Sequence, residues 1–275
     1  TSSALMESGF RRSVTVEIFI AVGLVVGLIM GLLGGGGTVV LLPLLVYVVG
    51  MGTHEAIATS LVVVGLGAVS ATLEHGRAGR VRWRLGLGFG GAAMAGALPG
   101  GWAAQFFSAH ALMLGFGLMM AVAAVAMLRP QKERQPESVT IRWGWVVVEG
   151  LLVGFFTGLV GAGGGFLIVP ALVILGGLEM KEAVGTSLFI MALKSGAALV
   201  GQLSHVELNW LSVAVLAAAA VVGSQLGSRG SKWVSGTQLK TAFGVLVLLL
   251  AVHTLVQEID LGSDSQLEEV SARTE

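Results

Sequence analysis

The sequence predicts an all-α polytopic membrane protein with two inverted-topology repeats, about eight transmembrane helices and two re-entrant half-helices. Three observations predict this fold class: the composition, an internal repeat, and the distribution of basic residues among the loops. The chain is 55% hydrophobic and 12% charged, with a mean hydropathy of +0.87. Soluble domains carry about 25% charged residues, so this balance is typical of membrane proteins.

Composition also excludes several classes of function. The formal net charge is zero, which argues against a nucleic-acid partner, because nucleic acid requires a basic surface. With no cysteine, and with five histidines at no ligand-like spacing, we expect neither a disulfide nor a metal site. No nucleotide-binding motif follows the glycines. We therefore expect no cofactor and no catalytic residues.

Apolar segments of roughly spanning length occur eight times along the chain. A hydrocarbon core about 30 Å thick needs roughly 20 helical residues. Two further apolar pieces, 38–49 and 165–175, reach only about 18 Å at 1.5 Å per residue and each follows a glycine cluster, which predicts re-entrant half-helices. The eight predicted spans are 14–33, 55–73, 85–103, 111–128, 143–160, 182–202, 210–227 and 241–256.

The polar segments divide the chain into five parts. Residues 1–15 are a polar N-terminal segment that we expect to be frayed, and 257–275 are an acidic tail that we expect to be solvated or disordered. We expect no cleaved signal after Arg11 and Arg12, because no small-residue cleavage site follows. The predicted parts between them are repeat 1 (16–128), a cytoplasmic linker (129–142) and repeat 2 (143–256).

The internal repeat has a constant offset. The run Gly-Leu-Leu-Gly-Gly-Gly-Gly at 31–37 matches Gly-Leu-Val-Gly-Ala-Gly-Gly at 158–164, and Pro43 matches Pro170, 127 positions later. Glu55-Ala and Thr59-Ser-Leu recur at the same offset. Chance composition would drift out of register, so the pattern indicates a duplication.

Loop charges predict that the two halves are inverted. Arginines occupy 77, 80, 82 and 84, whereas the matching segment 202–211 carries no Lys or Arg. Placing loops 74–84, 129–142 and 227–240 in the cytoplasm, together with Lys181, puts all but four of the 16 Lys and Arg there, as the positive-inside rule requires. The four exceptions are Arg11, Arg12, Lys194 and Arg273. We therefore expect a multi-pass protein of a prokaryotic inner membrane.

The glycine clusters are the candidate substrate site. Each precedes a half-helix, whose free N–H groups carry about half a positive charge and suit an anion. Inverted repeats with broken helices are a recurrent transporter design. Close helix packing is the alternative reading of these glycines. The candidate substrate-binding positions are Gly35, Gly36, Gly37 and Thr38 in the first half, and Gly163, Gly164 and Gly165 in the second.

Charged residues inside predicted spans are the next candidates. Lys194 carries a charge that costs about 2.5–3.5 kcal/mol at the midplane, so we expect it to bind the anion or to pair with Glu149. Glu149 is a candidate for proton coupling or only the partner of Lys194. His75, matched by Gln202, is a second candidate for proton coupling, or a simple interfacial histidine.

Hydroxyl groups begin the matched helices that follow each half-helix. Thr59, Ser60, Thr186 and Ser187 could donate hydrogen bonds to substrate. Helix capping and helix-to-helix bonding are equally good readings of these four residues.

The paired glycine motifs, each followed by Thr-Ser, resemble those of the TauE/SafE family of membrane permeases. The motifs are Gly31 to Pro43 followed by Ala-Ile-Ala-Thr-Ser, and Gly158 to Pro170 followed by Ala-Val-Gly-Thr-Ser. The resemblance covers about residues 20–255. It implies a secondary carrier of sulfite, organosulfonates or related sulfur anions, often an exporter.

The sequence thus predicts a sulfur-anion transporter with alternating access around a midplane site. The alternatives are a non-transporting membrane scaffold and a transporter of a different small anion. An intramembrane hydrolase using Ser195 beside Lys194 is disfavoured, because adjacent helix residues do not face one another. The expected partners are a small anion, the lipid bilayer and a coupling proton or sodium ion, and a homo-oligomer stays open.

Overall fold

The computed structural model describes residues 2–129, 143–160, 165–202 and 209–274, and every regular element in these ranges is a helix. A π-helical stretch, Leu44–Val48, continues α2. The helices are α1 (Ser2–Leu33), α2 (Gly36–Pro43), α3 (Thr53–Arg77), α4 (Trp83–Ala104), α5 (Ala109–Leu128), α6 (Trp143–Val160), α7 (Gly165–Ile174), α8 (Met180–Gln202), α9 (Trp210–Gly230) and α10 (Gly236–Thr274).

Five segments within these helices are both long and apolar enough to cross a membrane. The other three predicted spans are helical too, as α4, α6 and α8, but they are more polar, richer in glycine or shorter. The α6 helix, for example, has 18 residues. The five spans are Val16–Leu33, Glu55–Arg77, His110–Leu128, Trp210–Gly230 and Gly236–Glu258.

The two chain ends depart from the sequence expectation. Helix α1 begins at Ser2 and α10 continues to Thr274, so the described parts of these segments are helical, where the sequence predicted a frayed N-terminal segment and a solvated or disordered tail. Extending an existing helix adds a hydrogen bond for each residue fixed, whereas starting a new helix is costly. The polar segments therefore continue the apolar helices. Residues 130–142 of the predicted linker lie outside the described residues.

Two helix pairs cross the halves and run parallel. A Cβ at Gly27 would collide with the Ala220 backbone, and one at Gly31 would collide with the Ser224 carbonyl. Residue numbers therefore increase in the same direction along both helices, so α1 and α9 are parallel. In the same way Gly96 contacts the Leu151 backbone and Gly100 contacts that of Phe155, which makes α4 and α6 parallel. The repeat offset exchanges these two pairs, since it relates α1 to α6 and α4 to α9.

Repeat-related helices pair with each other and run antiparallel. Gly65 faces Ser195 and Gly185 faces His75, so the numbering of α3 falls as that of α8 rises. Helices α5 and α10 behave alike. A Cβ at Gly117 would lie 2.8 Å from the Leu255 side chain, and one at Gly244, its repeat partner, 2.9 Å from Leu128. The contacts are reciprocal, as a two-fold relation between the halves requires.

The two short helices lie inside the bundle. Every residue of α7 from Gly165 to Val173 is buried, and α2 with its π-helical extension buries Leu41 and Leu45. Their bounds agree closely with the predicted apolar pieces at 38–49 and 165–175. Both are too short to cross a bilayer.

Candidate functional site

The chain reverses direction between α1 and α2 at Gly34. Its φ of +74° is left-handed, which costs a side-chain-bearing residue energy and costs glycine none. After this turn α2 runs back along α1, because a Cβ at Gly37 would lie 2.7 Å from the Val26 carbonyl oxygen and 2.9 Å from Met30 Cβ. The first predicted glycine cluster therefore forms a tight hairpin in the interior.

The beginnings of α2 and α7 meet at this turn. A Cβ at Gly35 would collide with the Gly165 carbonyl, and one at Gly34 would lie 2.6 Å from Ser187 Oγ. A Cβ at Gly165 would lie 3.1 Å from Thr38 Oγ1, and Thr38 and Gly165 are repeat partners. We call Gly34, Gly35 and Gly165 the glycine junction. Two short helices, one from each half, thus touch through their main chains.

The first turn of α2 has no side-chain cap at its N-cap residue, Gly35. Thr38, which could have capped it, donates its hydroxyl to the Gly35 carbonyl oxygen at 2.7 Å. The early N–H groups of α2 therefore keep their capacity to bind an acceptor. Gly36 and Gly37 leave little space there for a side chain, since a Cβ at Gly36 would lie 3.1 Å from Leu246 Cδ2. Gly163 and Gly164 lie outside the described residues.

One stripe of α8 passes along the junction. Ser187 contacts Gly34, and Met191, four residues on, has its Sδ 2.9 Å from a Cβ at Gly165. Lys194 follows at i+7 from Ser187, on the same face of the helix and one turn beyond Met191. It makes no hydrogen bond or ion pair with any described residue. Lys194, a partly buried residue, thus lies on the helix face that contacts the junction, without a counter-charge from the described chain.

Glu149 is not the partner of Lys194. It lies on α6, which packs against α4, since a Cβ at neighbouring Gly150 would lie 2.8 Å from Ala92 Cβ. Lys194 lies on α8, which packs against α3. No ion pair joins the two residues, so the structure contradicts the predicted structural pair. The physical reason is the position of the helices within the membrane plane. The two residues were matched by their depth in the membrane, but their helices belong to different packed pairs.

The four predicted hydroxyl groups have different surroundings. Ser187 is at the junction and donates to its own helix at Val184 O, 2.8 Å away, as Ser60 does to Ile57 O at 2.7 Å. Thr186 accepts a hydrogen bond from the Arg82 backbone at 3.1 Å. This bond connects Thr186 to residues 78–82 between α3 and α4, which we call the arginine loop. Thr59 is fully buried and its Oγ1 has no hydrogen-bond partner. Of the four, only Ser187 contacts the glycine junction directly.

His75 is the last candidate and is buried, with 1% of its surface exposed. Its Nε2 lies 3.2 Å from the Gly31 carbonyl oxygen at the end of α1. The ring is therefore enclosed by protein, because the last turn of α3 packs between α1 and α8 and shields it.

Sequence reasoning missed Met191, which contacts the junction. The helical spacing from Ser187 to Lys194 could have identified it, because the three residues share one face. It also missed the ion pairs that connect the halves beside the arginine loop. Arg82 pairs with Glu182 at 2.7 Å and Arg229 with Glu74 at 3.1 Å. Counting charged residues along the sequence identifies the loops that carry them, but it does not identify which residues form ion pairs.

Comparisons with known proteins agree with this architecture. Residues 19–254 match the family described as Sulfite exporter TauE/SafE. A "Probable membrane transporter protein" of Xylella fastidiosa is 32% identical over 232 residues, covering 82% of this chain and 88% of the relative. The "Probable membrane transporter protein YunE" of Bacillus subtilis is 25% identical, covering 88% and 98%. A "Probable membrane transporter protein" of Methanocaldococcus jannaschii is 22% identical, covering 90% and 98%.

No solved structure matches the chain. The family match spans most of the chain and includes both glycine clusters, and the relatives are named as membrane transporters, not as enzymes. This chain therefore belongs to the TauE/SafE sulfite exporter family of multi-pass membrane proteins.

Proposed function

We propose that this protein is a secondary transporter, in the exporting direction, of a small sulfur-containing anion such as sulfite or an organosulfonate. The anion binds at the glycine junction, and access alternates between the two membrane faces. The observation that carries the proposal is the contact between Gly35 and Gly165, which brings the beginnings of two half-helices together inside the bundle.

Inverted repeats supply the geometry for alternating access. Antiparallel pairing of α3 with α8 and of α5 with α10, and the exchange of the pairs α1/α9 and α4/α6, support opposite orientations of the halves in the membrane. The positive-inside rule supports a cytoplasmic position for loops 74–84, 129–142 and 227–240. In transporters of this type the two halves rock around a fixed site at their interface.

Electrostatics favour an anion at this site. Each helix N-terminus carries about half a positive charge, so two such ends and one lysine present on the order of two positive charges. Two like-charged helix ends repel each other unless a negative ligand lies between them. No carboxylate among the described residues pairs with Lys194. A doubly or singly charged oxyanion would supply the missing negative charge.

Individual contacts follow from this arrangement. The N–H groups of Gly36 and Gly37, with those of Gly163, Gly164 and Gly165, would bind the oxyanion oxygens. Lys194 would reach it along the α8 stripe, and Ser187 or Thr38 could redirect a hydroxyl towards it. The unpartnered hydroxyl of Thr59 makes it a further candidate donor.

The family description supports sulfite as the first substrate to test, because it names a sulfite exporter. Transport of a different small anion and a scaffold without transport are the competing functions. The scaffold is disfavoured because a structural bundle has no need for two half-helices that begin at glycine and meet through their main chains.

The test is flux through purified protein in liposomes. We expect saturable uptake of radiolabelled sulfite and of methanesulfonate, with acetate and chloride carried at least tenfold more slowly. Tenfold selectivity corresponds to about 1.4 kcal/mol of differential binding, which one hydrogen bond to a charged group can supply. Preferred transport of acetate or chloride would support a different anion. Absence of flux for every anion would support the scaffold.

A further inference from the structure

The last turn of α3 contains a histidine, His75, with one ring nitrogen in a hydrogen bond and the other without a hydrogen-bond partner. His75 Nε2 lies 3.2 Å from the Gly31 carbonyl oxygen. Ser228 Oγ lies 3.5 Å from the same oxygen and donates to the Ser224 carbonyl oxygen at 2.7 Å. A carbonyl oxygen can only accept, so Nε2 must carry the hydrogen. The neutral ring therefore has a bare Nδ1, and this atom is buried with no partner.

A second buried polar atom without a partner lies on the same helix. Thr72 precedes His75 by three residues and is 5% exposed, and its Oγ1 also makes no hydrogen bond. Residues at i and i+3 are neighbours on one helix face, with Cβ atoms about 5–6 Å apart. Buried polar atoms are nearly always paired, so two unpaired ones side by side require a ligand or water.

The pair lies between the glycine junction and the arginine loop. Gly31, which His75 contacts, is in the last turn before the Gly34 reversal. On the other side, a Cβ at Gly185 of α8 would lie 3.1 Å from His75 Cβ and 2.7 Å from the Arg80 carbonyl oxygen. Ser187, two residues further along α8, contacts Gly34. His75 therefore contacts both the residues of the loop and the last turn before the junction, and Thr72 lies one turn further from the loop on the same helix.

The charged groups acting on His75 are Glu74 on α3, Arg80 in the loop and Lys232 after α9. From α1 and α8 the nearest groups are the Gly31 carbonyl and Gly185, and neither carries a formal charge. Two cations and one carboxylate leave a surplus of positive charge. Protonating the ring adds to that surplus, and a bound anion offsets it.

We propose that Thr72 and His75 form a second binding station for the transported anion, at which the anion binds together with one proton. The inference rests on the proposed transport function. While Nδ1 is bare, it offers an oxyanion only a lone pair and repels it. Once a proton is bound there, both ring nitrogens donate: Nε2 keeps its bond to Gly31, and Nδ1 donates to the anion beside the Thr72 hydroxyl.

The coupling is reciprocal, because a proton that strengthens anion binding is itself held more tightly when the anion is bound. One proton moves with each anion in either direction, so no charge is left on the protein after a cycle, and export occurs when the outward anion gradient exceeds the inward proton gradient. The repeat partner of His75 is Gln202, which cannot take up a proton. Coupling is therefore confined to one half.

His75→Gln is the decisive variant. Glutamine keeps a donor for the Gly31 carbonyl and is the residue of the matched position, but it has no site for a proton. The probe is methanesulfonate, whose charge does not change near neutral pH. We expect an inward proton gradient to accelerate its uptake by wild type about tenfold per pH unit at most, as one coupled proton allows. We expect His75→Gln to lose that acceleration and to exchange anion at equal pH with a KM raised several-fold, because the ring donor to the anion is gone.

Two further variants complete the experiment. His110→Gln, at an exposed histidine that pairs with Glu258 at 2.8 Å, should respond to the gradient as wild type does. Thr72→Val should raise KM several-fold and retain the proton response, because it removes a donor and no titrating group.

A full proton response in His75→Gln would overturn the proposal. If that variant fails to insert, two other measurements test the proposal. A pH-sensitive dye inside wild-type liposomes counts the protons that move with each sulfonate, and Thr72→Val gives the change in KM. One proton per sulfonate with a raised KM supports the proposal, whereas sulfonate movement without protons, or an unchanged KM, overturns it. Absence of saturable flux in wild type would instead remove the transport function on which this inference rests.

Discussion

Helices α3 and α8 are related by the repeat, yet they carry different polar groups. Both carry a Thr-Ser pair near the end of their second turn, and they pack antiparallel against each other. Lys194 on α8 corresponds to Gly67 on α3, and His75 on α3 corresponds to Gln202 on α8. The matched positions build the frame, while the unmatched ones place a lysine in one half and a titratable ring in the other. A duplicated fold thus acquires a direction through a few substitutions.

The glycine junction shows the same contrast at shorter range. Gly35 contacts Gly165 through the backbone, whereas the repeat partner of Gly35 is Ala162. Thr38 and Gly165, which are partners, face each other. One half contributes a hydroxyl and the other contributes space. Substitutions at these unmatched positions should therefore have unequal effects in the two halves.

The largest effect is expected for Gly35→Ala. Its Cβ would overlap the Gly165 carbonyl, and backbone atoms cannot move aside as a side chain can. Overpacking costs about 1–3 kcal/mol or more, so we expect little folded protein. The control is Gly115→Ala on α5, where a Cβ meets no atom within 4 Å. Both variants are compared by the yield of monodisperse protein and by thermal unfolding in detergent. Equal yields would contradict the close approach of Gly35 to the Gly165 backbone.

Lys194→Ala should remove flux and leave folding intact. Losing one partner of a close charge interaction costs about 2–5 kcal/mol, or on the order of 100-fold in transport. Stability should hold or rise, because an unpaired membrane charge is itself unfavourable. Lys181→Ala, at the start of the same helix, is the matched control and should transport normally. Normal sulfite flux in Lys194→Ala liposomes would remove this lysine from the site.

Exchanging the charges of Arg82 and Glu182 tests the contact between the halves. Their 2.7 Å pair has side chains 59% and 22% exposed, and exposed pairs contribute about 0.2–1 kcal/mol. Arg82→Glu alone and Glu182→Arg alone should each lower the unfolding temperature, and the double variant should recover it. High salt should reduce the difference.

Arg84→Glu is the control for that cycle, because Arg84 pairs with no described residue. The repeat partners of Arg82 and Glu182 are Asn209 and Glu55, which cannot form an ion pair. The cycle therefore isolates a link that exists at only one end of the molecule. Equal losses in Arg84→Glu would attribute the effect to net charge.

The smallest effect is expected for Thr59→Val. Replacing an unpaired buried hydroxyl by an isosteric methyl group should leave stability within about 0.5 kcal/mol, or raise it slightly. If Thr59 donates to the anion, KM for sulfite should increase several-fold. Ser60→Ala, which removes a hydroxyl bonded to Ile57 O, is the control and should leave KM unchanged. An unchanged KM in both variants would show that the Thr59 hydroxyl does not donate to the anion and that Thr59 serves only in packing.

Much of the architecture could be predicted because it depends on periodic or repeated features. The offset of 127 relates two of the helix pairs, α3 with α8 and α5 with α10, and the glycine clusters marked α2 and α7 to within a few residues. Lengths of apolar segments are local properties, and a bilayer makes them decisive. The extent of α1 and α10 was missed, because helix propagation beyond an apolar segment leaves no hydropathy signal.

The candidate site was predictable in its residue types and not in its contacts. The sequence by itself determined the membrane class, the duplication, the glycine-rich half-helices and an isolated lysine at depth, since each follows from composition or spacing along one chain. Only the tertiary structure decided that Gly35 touches Gly165, that Glu149 and Lys194 lie on separate helix pairs, and that His75 holds Gly31. Those contacts depend on which helix faces are buried together, and packing between distant segments leaves no mark in a single sequence.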